Sequence, residues 1–84
     1  MTFYAIEDGN DIVELYLDYS DPQTGKNAES RSWWHPEVRP LGGPTWRPLT
    51  DRSEALQLAV ERLGQAGGED TIRSLEVRVQ KQLA

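Results

Sequence analysis

The stretch from Trp46 to Val60, Trp-Arg-Pro-Leu-Thr-Asp-Arg-Ser-Glu-Ala-Leu-Gln-Leu-Ala-Val, constrains the fold of this chain more than any other. Asp51 stands where a helix needs an acceptor for its first unpaired amides, and Glu54 follows three residues later, an aspartate version of the capping box. At roughly 100° per residue, Ala55, Leu56, Ala59, Val60 and Leu63 form one apolar stripe, with Leu58 on its flank. Glu54, Gln57 and Glu61 occupy the opposite side. Gly64, or Gly67-Gly68, supplies the stop. A helix with a single apolar stripe packs on one surface only, so the rest of the chain must build that surface.

The N-terminal quarter has the pattern for it. Residues 2–7 have strand composition, and Asp8-Gly9-Asn10-Asp11 is a hairpin signal because its central residues tolerate positive φ. Residues 12–19 then alternate: Val13, Leu15, Leu17 and Tyr19 face one way, Ile12, Glu14, Tyr16 and Asp18 the other. Asp21-Pro22-Gln23-Thr24-Gly25-Lys26 is rich in turn formers and ends the second strand. Residues 29–35 suit a third strand, with Trp33 and Trp34 on opposite faces. Four of the five prolines (36, 40, 44 and 48) fall in residues 36–48 with Gly42-Gly43, which predicts a crossover loop, since proline removes a backbone donor. Residues 72–81 alternate again, Leu75, Val77 and Val79 against Glu76, Arg78 and Gln80, and read as a last strand. The expected architecture is a single α+β domain spanning 1–84. A three- to four-stranded, mainly antiparallel sheet carries one helix on one face, in the order strand, strand, strand, helix, strand.

Composition narrows the chemistry. The 84 residues contain no cysteine and one histidine, so disulfides, thiolate metal sites and His-rich sites are excluded. No apolar run approaches the roughly 20 residues that span a bilayer, and Met1-Thr2-Phe3-Tyr4 lacks the basic and apolar regions of a signal peptide. A cytoplasmic protein without membrane association is expected. The net charge of −5 is unevenly placed: Glu7, Asp8, Asp11, Glu14, Asp18 and Asp21 give residues 1–25 a charge of −6, with no Lys or Arg. Such a field repels nucleic acid and steers toward a basic partner.

No constellation for catalysis emerges. Glu7-Asp8-Gly9-Asn10-Asp11 lacks the 12-residue spacing of a calcium loop, and Gly42-Gly43-Pro44 lacks the Lys and Ser/Thr of a phosphate cradle. His35, the one base for neutral pH, has no nucleophile elbow beside it. Arg31, Arg39, Arg47 and Arg52 interleave with Trp33, Trp34 and Trp46, as in single-strand binders, but the pI near 4.7 argues against nucleic acid. At least two of the three tryptophans are expected to fill the core. Neither an enzyme nor a cofactor is expected.

Trp46, Pro48, Leu49, Asp51, Ala55, Leu56 and Leu58 resemble a Trp-x-Pro-Leu-x-Asp turn leading into an Ala-Leu-x-Leu helix in small bacteriophage proteins, the NinX-like group. The similarity covers residues 46–60 and implies a phage or prophage origin. The strand order also looks like that of HicB-type antitoxins, although no DNA-binding motif is appended. The resulting expectation is a small acidic binding protein without catalytic activity. It would occupy a basic surface of a host or cognate protein, as a counter-defence inhibitor or nucleic-acid mimic does. Glu14, Tyr16 and Asp18 on the outer hairpin face, with Trp33 or Trp34 as anchor, are its candidate interface. The alternative is a HicB-like antitoxin or regulatory subunit, dimerising through an open sheet edge.

Overall fold

The computed structural model describes residues 1–8, 11–33 and 45–84, without the side chains of Asp8, Val13 and Trp33. Strands β1 (Thr2–Asp8), β2 (Asp11–Ser20), β3 (Asn27–Trp33) and β4 (Thr45–Pro48) precede one helical segment, α1 (Arg52–Leu83). The strands form an antiparallel sheet in the order β3-β2-β1-β4, and α1 covers one face of it. The α+β architecture is the expected one; the element order is not.

β1 and β2 pair from Thr2↔Asp18 to Asp8↔Asp11, as the hairpin signal requires. The register slips where Ile6 pairs with Glu14 but Glu7 with Ile12, leaving Val13 as an extra residue in β2. Such a bulge changes which way the neighbouring residue points. Ile12 accordingly packs against the helix-side core rather than beside Glu14. Leu15 and Leu17 are fully buried on that side, and Tyr19 packs at its margin. The turn after β2 closes through Asp21, whose backbone pairs with Gly25 and Lys26 and whose carboxylate accepts the Gln23 amide at 2.9 Å. Gly25 sits there at φ 71°, a conformation that costs glycine little.

The fourth strand is β4, at the end of the proline-rich stretch where a loop was expected. Leu49 N–H bonds Phe3 C=O at 2.8 Å, which makes Arg47 and Thr45 the other hydrogen-bonded positions opposite Ala5 and Glu7. Pro48 therefore turns its nitrogen away from β1, and its missing N–H removes nothing from the ladder.

The expected last strand, 72–81, is helix. Ile72, Leu75 and Val79 are buried while Val77 is 45% exposed, a spacing with a period near 3.6 rather than 2. The alternation Leu75–Val79 is a chance overlay on a helical stripe that starts at Gly68. α1 is nevertheless not one rod. Gly64 is non-helical at φ 81°, ψ 170°, and Arg52 grips Glu76 with two hydrogen bonds of 2.9 and 3.0 Å. In a straight helix those residues would be roughly 36 Å apart. The segment therefore folds back on itself at Gly64, a hairpin of two helical halves. Gly68 is pressed against the Val60 backbone: a Cβ there would stand 2.5 Å from Val60 N.

Of the expected stripe, Ala55 and Ala59 are buried and Leu56 is half-buried, but Leu63 is 40% exposed because the hinge follows it. The capping expectation holds in modified form. Asp51, extended at φ −159°, accepts the Glu54 amide at 3.0 Å, and Glu54 reaches back to the Thr50 amide at 2.8 Å rather than to that of Asp51. That amide, followed by Arg47, holds the Glu54 carboxyl below its usual range. Phe3, Ala5, Leu15, Leu17, Ala28, Leu49, Ala55, Ala59, Ile72, Leu75 and Val79 form the main core between sheet and helices. Among the described residues no helix is long and apolar enough to cross a membrane.

Candidate functional site: the helix-free face of the sheet

Directly opposed residues in an antiparallel sheet project to one side. The register thus sets out rows on the face that α1 does not cover: Glu29–Asp18–Thr2, Arg31–Tyr16–Tyr4–Pro48 and Glu14–Ile6–Trp46. The backbone of Trp33 pairs with that of Glu14.

The middle of this face is an aromatic cluster. Tyr16 and Trp46 rings lie 4.9 Å apart at 70°, Tyr4 and Trp46 5.9 Å apart at 67°, and Tyr4 and Tyr16 6.0 Å apart at 53°. Edge-to-face and tilted pairs of this kind bring the positive rim of one ring to the negative face of another, contributing about 0.5–1.5 kcal/mol each beyond burial. The Arg31 guanidinium stands 5.2 Å from the Tyr16 centroid and 5.4 Å from that of Trp46, within the range of cation–π attraction. Ile6 and Tyr16 are buried beneath, a second small core with Tyr4 packed on it. Trp46 remains 38% exposed.

The candidate interface residues divide. Glu14 and Tyr16 do lie on the helix-free face, but both are buried, so neither is the outward-facing group expected. Glu14 is only 1% exposed and lies 3.5 Å from Arg31 Nε. A carboxylate removed from water needs a compensating charge, and the adjacent strand provides one. The Tyr16 hydroxyl donates to the Glu29 carboxylate. Asp18 is exposed, directly across from Glu29. The Trp33 side chain and all of Trp34 lie outside the described residues, as does His35, so the expectation that two tryptophans fill the core falls there too.

The expected uncompensated negative ribbon is corrected as well. Among the described side chains, arginines from later in the chain meet three of its carboxylates: Arg47 pairs with Glu7, Arg62 with Asp11 at 2.8 Å, and Arg31 with Glu14. Arg47 also reaches Glu54, tying β4 to β1 and to the start of α1. What remains concentrated is a local pair, Asp18 and Glu29, at one margin of the aromatic cluster. Trp46, which sequence reasoning placed in a turn, is the residue it missed. Its signal was available: Trp46 and Pro48 frame a short extended run that alternates before the helix cap.

Among the described residues no group of three or more His, Cys, Asp or Glu converges as metal ligands would. The arrangement is suited to burying and stacking a partner against aromatic rings beside a carboxylate pair. Comparison with protein-family models, curated proteins and solved structures finds no match to this chain.

Proposed function

We propose that this chain is a small acidic binding protein without catalytic activity, which occupies a surface of a partner protein with the helix-free face of its sheet. The observation that carries this reading is Trp46, exposed at the top of a packed Tyr4–Tyr16–Trp46–Arg31 cluster on the face opposite the helices. Exposed tryptophan on a rigid support is the residue type that most often anchors an interface, because it buries a large area at little entropic cost. Asp18 and Glu29 at the margin favour a partner with basic groups beside its apolar patch. Since arginines already meet much of the hairpin's charge, the aromatic anchor supports the reading more strongly than mimicry of nucleic acid does. The resemblance at residues 46–60 makes a phage-encoded inhibitor of a host protein the setting we favour.

The test uses immobilised wild-type chain, Trp46→Ala and Asp18→Lys in a bacterial host lysate at low and high salt. Loss of a tryptophan anchor costs about 2 kcal/mol or more, roughly a 30-fold drop in affinity. Trp46→Ala should therefore lose a protein that wild type retains. Asp18→Lys should retain less of it at low salt and approach wild type at high salt, where screening removes the difference. Equal retention by all three overturns the proposal. Reversing Glu14 is not a usable test, because it would place a buried lysine or arginine against Arg31.

A further inference from the structure

We infer that the second half of α1, residues 65–83, is exchangeable between two copies of this chain, with Gly64 as the hinge. This goes beyond the binding role proposed above and does not depend on it.

The hinge is one residue long. Gly64 is the single non-helical position within Arg52–Leu83, at φ 81°, ψ 170°, a region open essentially to glycine alone. It is exposed, and a Cβ built there meets nothing within 4 Å, so nothing packs against the hinge residue itself. The bend has a standing cost. A helix that ends leaves about four carbonyls without partners, and one that begins leaves about four amides. A helix continuing through Gly64 would join these groups to each other.

Straightening moves residues 65–83 off their own sheet, which uncovers much of what holds the molecule together. Gly68, Ile72, Leu75 and Val79 leave the core, Glu76 leaves Arg52, and Arg78 and Gln82 leave β3. A second straightened copy offers the identical set of vacated positions. Two chains can therefore restore every one of these contacts reciprocally and keep the continuous helix in addition. The bent monomer prevails in dilute solution because a tethered segment sees its own site at an effective concentration on the order of millimolar. Any change that raises the cost of the Gly64 conformation shifts the balance to the exchanged dimer.

Gly64→Ala is that change. The alanine penalty in this region corresponds to roughly a ten- to a hundredfold shift in the equilibrium. At ~100 µM protein, against that millimolar effective concentration, the variant should show a doubled mass by light scattering with unreduced helical content. A second pair of variants identifies the exchange. Arg52→Glu and Glu76→Arg each set like charges against one another within a monomer. Mixed in the Gly64→Ala background, they restore both opposite-charge pairs only if residue 76 of one chain meets residue 52 of the other. Preferential heterodimer formation on mixing supports the inference. A folded monomeric Gly64→Ala, or a dimer that forms equally well from either charge variant alone, overturns it. Should Gly64→Ala fail to fold, the same mixture with the native hinge at about millimolar protein decides. Heterodimer there supports exchange, and its absence overturns it.

Discussion

The Tyr16 ring packs edge-to-face with Trp46 while its hydroxyl donates to Glu29, and burial pushes its pKa up to about 12. The hydrogen bond to Glu29 and the charges of Glu29 and Asp18 add to the rise, while Arg31 opposes it. An unfolded tyrosine ionises near pH ~10, so the folded state holds this proton more tightly. The contribution is complete below pH ~10 and is lost as pH climbs through the folded value of about 12. An ultraviolet titration of the folded protein should contain a phenolate step near pH 12 that Tyr16→Phe lacks. The variant should also lose less stability than wild type across that alkaline range. A late step that persists in Tyr16→Phe would assign it elsewhere. The period-two pattern put Glu14, Tyr16 and Asp18 on the correct face, because alternation is a property of the strand itself. It could not say which of them water reaches. That depends on Arg31 and Trp46 reaching over from β3 and β4, and cross-strand register is not written in a single strand.

Within α1 the adjacent glycines 67 and 68 have opposite tasks. A Cβ at Gly68 would stand 2.5 Å from Val60 N and 2.6 Å from Val60 Cα, both backbone atoms that cannot step aside. A Cβ at Gly67 would meet the Leu63 Cβ at 3.1 Å, a contact relieved by a shift of a few tenths of an ångström in the backbone next to the exposed Gly64 hinge. Alanine gains about 1 kcal/mol over glycine in a helix interior. Gly67→Ala should therefore be neutral or stabilising by up to about 1 kcal/mol. Gly68→Ala should be destabilising by about 1–3 kcal/mol, as the two halves are forced apart. Urea unfolding midpoints measure both, and destabilisation of similar size at the two positions would contradict the packing argument. The sequence offered Gly64 or Gly67-Gly68 as the stop, and the break falls at Gly64, yet residues 72–81 were read as a strand. Leu75, Val77 and Val79 satisfy period two as well as Ile72, Leu75 and Val79 satisfy period 3.6, and a short window cannot separate them. Helix-favouring Glu, Arg, Gln and Lys between them carried the better signal. β4 was missed for the converse reason: Pro48 forbids a central strand, and only the hydrogen-bond parity opposite Phe3 makes an edge strand compatible with it.

At the scale of the molecule, the β3-β2-β1-β4 order leaves two strand edges among the described residues, and each is guarded differently. On β3 the Gln82 side-chain amide accepts from Glu29 N–H at 3.3 Å and donates to Glu29 C=O, while Arg78 donates to Arg31 C=O at 2.8 Å. These contacts occupy three of the outward backbone groups that another strand would need. On β4 the parity turns Trp46 and Pro48 outward, and proline there has no amide to offer. An edge-paired homodimer, which an antitoxin-like reading invoked, thus meets side chains on one side and a missing donor on the other. If these are guards, removing them should change association rather than folding. Arg78→Ala with Gln82→Ala frees the β3 edge without touching Ile72, Leu75 or Val79, so the core stays filled. Pro48→Val supplies an outward N–H beside that of Trp46. Sedimentation at increasing concentration should then show self-association in both variants beyond that of wild type. Within the Pro48→Val variant, amide exchange at residue 48 and at Trp46 should slow as concentration rises, where new ladder bonds form. Variants that unfold earlier but remain monomeric would mean that Gln82 and Arg78 serve only to fasten the helix, and that the β4 edge is too short to pair at all.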